Sequence, residues 1–224
     1  MNIIRALPAL VLYLLATSFS HAALAPIGPL DFASGATVID FSGLADKTEA
    51  NGLVVNGVLF QVTKNGSSTN GIVSVDGGPG KTGNISPPNL VTFVSPNGIA
   101  LIVSLPNLAT QFGYGYALAG ARESVPTATT IDLFAGSTPI GGISFTGIPD
   151  PDLTGGFAGV ASDTPFDRAV LTFSDVGDAF AVDKVTFGAN RATDEGQTLV
   201  LLSAGISILL FVRARRGQSR FSYR

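Results

Sequence analysis

Apolar positions along this 224-residue chain follow three patterns. Ala6 to Phe19 form a run broken only by Pro8, Thr17 and Ser18, and Thr198 to Val212 form a second stretch without charge. Between them, apolar and polar residues alternate. A period of two places successive side chains on opposite faces of a β-strand. In Ala169-Val170-Leu171-Thr172-Phe173 the odd positions hold the bulkiest apolar residues, and Ile131 and Leu133 oppose Asp132. The pattern predicts strands at Thr37 to Phe41, Leu53 to Val55, Val58 to Val62, Gly71 to Val75, Leu90 to Val94, Ile99 to Leu105, Phe112 to Leu118, Thr129 to Ala135, Gly142 to Phe145, Phe157 to Ala161, Ala169 to Phe173 and Phe180 to Phe187. Ile99 to Leu105 is apolar on both faces, which predicts a central strand. No part of this body carries a helical period.

Turn chemistry punctuates these strands. Asn51-Gly52, Asn56-Gly57, Asn65-Gly66, Pro96-Asn97-Gly98 and Val176-Gly177-Asp178 supply residues that accept the positive φ of tight hairpins. Asn56-Gly57 between Val55 and Val58 is the cleanest hairpin signal, and Gly147 to Gly156 reads as a surface loop. The expectation is an all-β fold, a single β-sandwich over residues 26–190. Phe112, Tyr114 and Tyr116 share one face of their strand, and Gly113, Gly115 and Ala117 share the other, where a neighbouring group can approach closely.

The two ends carry targeting patterns. Arg5 followed by the Ala6 to Phe19 run reads as a secretory signal peptide over residues 1–25. Small residues stand at cleavage positions either as Ser20-His21-Ala22 or as Ala23-Leu24-Ala25, so the mature chain is expected to begin between Ala23 and Pro26. The alternative, an uncleaved membrane helix, suits the run poorly, because a bilayer core of ~30 Å needs about 20 apolar residues. At the other end, Arg213, Arg215 and Arg216 follow Thr198 to Val212 and are expected to hold that end in the cytoplasm. Fifteen helical residues reach only about 22 Å, which suits a transient anchor in residues 191–224 better than a permanent one. The body is expected outside the cytoplasm under either reading of the tail.

Charge and composition narrow the function. From Pro26 to Asn190 there are fourteen acidic and six basic residues, a balance of minus eight. Such a body offers no electrostatic footprint for nucleic acid. The chain has no Cys and no Trp, and its one His and one Met are His21 and Met1, both in the leader. The mature protein therefore lacks a thiol nucleophile, an imidazole base and any soft or imidazole metal ligand. Without disulfides, stability must come from apolar burial, which a body of this length can supply.

The stretch Phe157 to Arg168, continued by Gly177 to Phe187, resembles the last strands of jelly-roll domains in bacterial PEP-CTERM proteins, the exported substrates of exosortases. Thr37 to Phe41 with Asn56 to Phe60 is similar to the family's first strands. The tail, Ala192 to Thr198 followed by an apolar stretch and arginines, looks like the Val-Pro-Asp-Ser-Gly variant of the family's sorting signal, with Asp194, Gly196 and Thr198 in matching places. Thr193 stands where the family has proline, and eight residues trail Arg216 where family members usually stop. The resemblance implies transit past a signal peptidase and a membrane sorting protease, and a destination at the cell surface or in the extracellular matrix. An ordinary stop-transfer helix is the other reading of the tail.

Three functions are open to the body. A non-catalytic surface or matrix protein needs nothing the sequence lacks. A carbohydrate-binding module, implied by jelly rolls that hold glycans and by the family's association with exopolysaccharide, would have to use Tyr114 and Tyr116, whose alternation with Phe112 reads first as core. An enzyme would have to pair carboxylates, with Glu49, Glu123, Asp150 and Asp152 conceivable members. No cofactor is expected. The family's jelly rolls also imply a structural Ca²⁺ between first and last strands, which would gather Asp40, Asp183 and Asp178. Period two sets Asp183 with Ala181, Val185 and Phe187, facing inward, where it needs a cation or hydrogen-bond donors.

Overall fold

Asn56 and Gly57 turn the chain with φ of 50° and 82°, two successive left-handed residues that return Leu53–Val55 directly onto Val58–Lys64. The same Asn-Gly chemistry recurs at Asn65 and Gly66, with φ of 52° and 79°. The computed structural model describes residues 22–77 and 84–189, and there the chain forms twelve strands and no helix. These are β1 (Leu24–Pro26), β2 (Thr37–Ile39), β3 (Leu53–Val55), β4 (Val58–Lys64), β5 (Ser67–Ser68), β6 (Val73–Asp76), β7 (Asn89–Thr92), β8 (Ile99–Ala119), β9 (Val125–Ala135), β10 (Thr138–Pro149), β11 (Thr154–Phe173) and β12 (Ala179–Gly188).

All twelve strands join one antiparallel sheet, organised by its two long members. The first half of β8, Ile99 to Ser104, lies between β4 and the second half of β11. This is the central strand that its two apolar faces predict. The second half of β8 lies between the first half of β11 and β12. Strands expected as separate pairs, 99–105 with 112–118 and 157–161 with 169–173, are therefore single strands that change partners midway. β11 shifts register between Ala161 and Phe166 and again between Phe166 and Arg168. Irregularities of this kind let one strand bend through a corner while staying extended. β9 and β10 continue the sheet beyond β11, whereas β2 and β7 both border β12 and β6 follows β7.

The two halves of the sheet face each other over one apolar cluster. Phe173 of β11 stacks on Phe180 of β12 with ring centroids 3.9 Å apart, and Phe60, Leu101, Val103, Phe112, Leu133 and Leu171 are all buried in the same cluster. Alternation places Ala169, Leu171 and Phe173 inward and leaves Thr172 half-buried. The stretch expected as a loop from Gly147 to Gly156 is mostly paired. Ile148 opposes Gly155 and Pro149 opposes Thr154, leaving a turn closed by an Asp150 N–H to Leu153 carbonyl bond of 2.8 Å.

The sheet runs from Leu24 to Gly188. No helix among the described residues is long and apolar enough to cross a membrane. Residues 1–21 of the expected leader, the tail from 191 to 224 and the expected sorting residues Asp194, Gly196, Thr198, Arg213, Arg215 and Arg216 lie outside the described residues, whereas Leu24 and Ala25, expected as the end of the leader, are paired in β1.

Candidate functional site

β12 carries the one carboxylate that the described residues bury completely, that of Asp183. Its position differs from the sequence expectation. A bulge at Lys184, whose φ is 50°, shifts the register between Asp183 and Thr186. Phe180 and Val182 point into the apolar cluster before the bulge, and Val185 and Phe187 after it. One inserted residue thus moves Asp183 to the opposite face from Val185 and Phe187.

On that outer face lies a strap formed by residues 84–88. Gly115 of β8 sits opposite Asp183 in register, and a Cβ there would stand 2.2 Å from the carbonyl oxygen of Asn84. This is the close approach that the glycine face of the strand predicts. The Asn84 amide donates to Asp150 Oδ2 at 2.5 Å, and the strap's own Ile85 is buried. Asp183 then fixes it from below. Its Oδ2 accepts from the Ser86 N–H at 2.7 Å, its Oδ1 accepts from the Lys184 N–H at 2.6 Å, and Lys184 Nζ donates to Ser86 Oγ at 3.3 Å.

Desolvation pushes the Asp183 carboxyl above the ordinary carboxylate range. The Ser86 and Lys184 N–H groups and the Lys184 charge oppose that rise, and the charge of Asp40 adds to it. Asp40 comes near because Ile39 pairs with Val185. It is exposed, and the Ser42 N–H, 3.0 Å from its Oδ1, holds its own carboxyl below the usual range. Asp178 stays apart. Five residues back along an extended strand is roughly 16 Å away, and there its carboxylate lies over Gly120. The three acids expected to share a cation do not converge, and among the described residues no cluster of three or more His, Cys, Asp or Glu forms. Each oxygen of Asp183 instead accepts a backbone N–H, and the Lys184 ammonium is bonded to Ser86 Oγ.

The expected sugar platform is interior. Tyr114 and Tyr116 are both fully buried, their rings 6.2 Å apart and edge-on. Burial raises both phenols, that of Tyr116 to about 12. Neither ring offers a face to a ligand.

The carboxylates considered for hydrolysis divide between places. Glu49 lies beside β6, where its Oε2 accepts from the Gly71 N–H at 2.9 Å. Glu123 sits on the turn between β8 and β9, tied through its carbonyl to Thr154 Oγ1 at 2.6 Å, so that the turn bearing Asp150 and exposed Asp152 adjoins it. Next to Glu123 is a cavity of 390 Å³ lined by residues 120–126 and Val176. A smaller one of 260 Å³ lies against Asp167 and Arg168, whose guanidinium rests 4.5 Å over the Phe134 ring. Asp167 accepts the Gly136 N–H at 3.0 Å, so this carboxylate too holds a turn. The sequence gives no sign of the partnerships of Asn84 and Ser86, because both depend on contacts with residues far along the chain.

No family model and no curated protein matches the chain. Solved structures to which it is similar include the enzymatically active domain of bacteriophage CBA120 tailspike protein 4, at 16% identity over 62% of this chain and 21% of that one, with a TM-score of 0.34. A second is the catalytic domain of a GH87 alpha-1,3-glucanase in complex with tetrasaccharides, at 16% identity over 58% and 28%, TM-score 0.32. A third is CBM51 from Clostridium perfringens GH95 in complex with methyl-galactose, at 13% identity over 67% and 99%, TM-score 0.30. The chain spans less than a third of the first two. Likeness at this level assigns neither ligand nor activity to this chain.

Proposed function

We propose that this chain is an exported, non-catalytic cell-envelope or extracellular-matrix protein, a jelly-roll-like β-sandwich delivered by its leader and by a sorting signal of the exosortase type. The observation that carries the reading is where the folded body lies. The sheet occupies Leu24 to Gly188, beginning just after Ser20-His21-Ala22, the first of the two sets of small-residue positions, and ending before the tail that begins near Ala192. The charged groups inside that body support the same reading. Asp183, Asp150, Asp163 and Asp167 each hold a loop or a strand end through hydrogen bonds, which is the work of a scaffold. Asp194, Gly196 and Thr198 belong to the sorting motif, and Arg213, Arg215 and Arg216 keep the end of the tail in the cytoplasm until processing.

The test is a fusion after Asn190 to a reporter that works only outside the cytoplasm. Activity is expected, and an inactive full-length fusion would overturn export. A glycan array run beside chromogenic glycosides addresses the body. Silence in both is expected of a scaffold, turnover would make the protein an enzyme, and binding without turnover would make it a carbohydrate-binding module.

A further inference from the structure

We propose that a membrane signal peptidase cuts this chain between Ala22 and Ala23, and that the α-ammonium so created pairs with Asp163. The inference rests on the export reading and goes beyond it by choosing between two positions that satisfy the small-residue pattern equally, after Ala22 and after Ala25. The folded body separates them. Leu24, Ala25 and Pro26 of β1 pair with Ser162, Ala161 and Val160 of β11, and Leu24 packs against the apolar cluster. Ala23 closes this ladder. Its N–H donates to Asp163 Oδ1 at 3.0 Å, and its carbonyl accepts from the Asp163 N–H at 3.3 Å. A cut after Ala25 removes Leu24 and Ala25 from the sheet together with both Ala23 bonds. A cut after Ala22 leaves every one of them in place.

The chemistry of the scissile bond points the same way. Ala25–Pro26 is a tertiary amide whose nitrogen carries no hydrogen. A peptidase that holds its substrate as an added strand finds no donor there, whereas Ala22–Ala23 is an ordinary secondary amide. In the reaction, water adds across that amide. Its hydroxyl joins the Ala22 carbonyl carbon to give a carboxylate, and the Ala23 nitrogen leaves as an amine that is protonated near neutral pH. The Ala23 bond to Asp163 then becomes a charge-assisted contact between opposite charges. Thr164 Oγ1, 3.2 Å from the same oxygen, holds the carboxylate in position. Ala23 and Asp163 are both exposed, so the terminus is free to be made and to pair without disturbing the core.

N-terminal sequencing of the full chain exported from a bacterial host tests this. The expected product begins Ala23-Leu24-Ala25-Pro26. A product beginning at Pro26, or an exported chain that retains Met1, would overturn the proposal and leave export standing, while a chain found only in the cytoplasm would overturn both. Ala22→Leu places a bulky side chain immediately before the cut and is expected to leave the precursor unprocessed. Ala25→Leu, at an exposed position of β1, is expected to be processed like the parent chain. The reverse pattern would move the cut to Ala25 and overturn the assignment.

Discussion

The phenol of Tyr114 donates its proton to Thr129 Oγ1 across 2.5 Å of the protein interior. The direction follows from counting protons, because a threonine hydroxyl has one and Thr129 gives it to the Thr172 carbonyl at 2.9 Å. Tyr114 stands on β8 and Thr129 on β9, strands that share no ladder, so this bond ties the two halves of the sheet through the core. Thr129→Val leaves the Tyr114 hydroxyl buried without an acceptor and is expected to cost about 1–3 kcal/mol. Tyr114→Phe removes the donor along with its need and is expected to cost about 1 kcal/mol. The double variant should cost less than the sum of the two. Denaturant unfolding of the three variants checks this, and equal single losses that simply add would contradict the assigned direction.

Leu171 is fully buried among residues from both halves of the sheet, and its neighbour Thr172 is half-buried on the other face. Leu171→Ala is expected to cost ~2–5 kcal/mol through lost burial and the cavity left behind. For Thr172→Ala the expected change is within about 0.5 kcal/mol. Circular dichroism melts of the two variants side by side read the difference, and comparable losses would mean that the strand faces the other way.

Gly115→Ala sets a Cβ 2.2 Å from the Asn84 carbonyl, a backbone atom that cannot swing aside as a side chain would. The strap must lift, at an expected cost of about 1–3 kcal/mol. Protease cleavage near residues 84–88 should increase in step. Gly77→Ala, where a Cβ meets nothing within 4 Å, serves as the control and should leave both readouts unchanged.

Asp183 makes the protein's stability depend on pH in a particular direction. Its carboxyl is raised in the folded state from an ordinary value of 3.8, so between those two values the folded chain binds more protons than the unfolded one. Its ionisation therefore lowers stability as pH rises through that window. Wild type should gain stability relative to Asp183→Asn as pH falls from 7, and a constant gap between their melting temperatures would refute the burial argument. Because N–H groups already serve both oxygens of Asp183, millimolar Ca²⁺ and chelator should give the same melting curve. A rise of about 2.7 kcal/mol, as expected for a ligand at 100 times its dissociation constant, would restore the metal.

The faces of the strands were legible wherever strict alternation held. Leu171, Ile131, Leu133 and the Phe112-Tyr114-Tyr116 stripe all point inward as their spacing requires, and the stripe is core for that reason. Alternation could not reveal Lys184, where a single inserted residue reverses the phase and carries Asp183 to the outer face. Nor could it show that β8 and β11 run on through residues 105–110 and 162–167. Pro106 and Pro165 resemble turn residues there, yet the chain bends without reversing. β1 escaped notice because residues 24–26 overlap the positions a leader's cleavage site occupies. The strap site was least legible, since Ser86 and Asp183 are 97 residues apart and nothing local to either announces the other.

Ala23 and Asp163 are separated by 140 positions, and that distance sets a timetable. A chain that is made and translocated from its N-terminus delivers β1 first and its partner β11 long afterwards. During that interval β1 has no strand to join, and closing so long a loop carries an entropic cost that only the completed sheet repays. The opening strand of the protein is thus among the last to find its place, and folding waits on non-local pairing, which belongs to the slow, millisecond-to-second end of the range for single domains. On the proposed export route, the segment around Ala22 and Ala23 would stay unpaired, and so open to a peptidase, until β11 arrives.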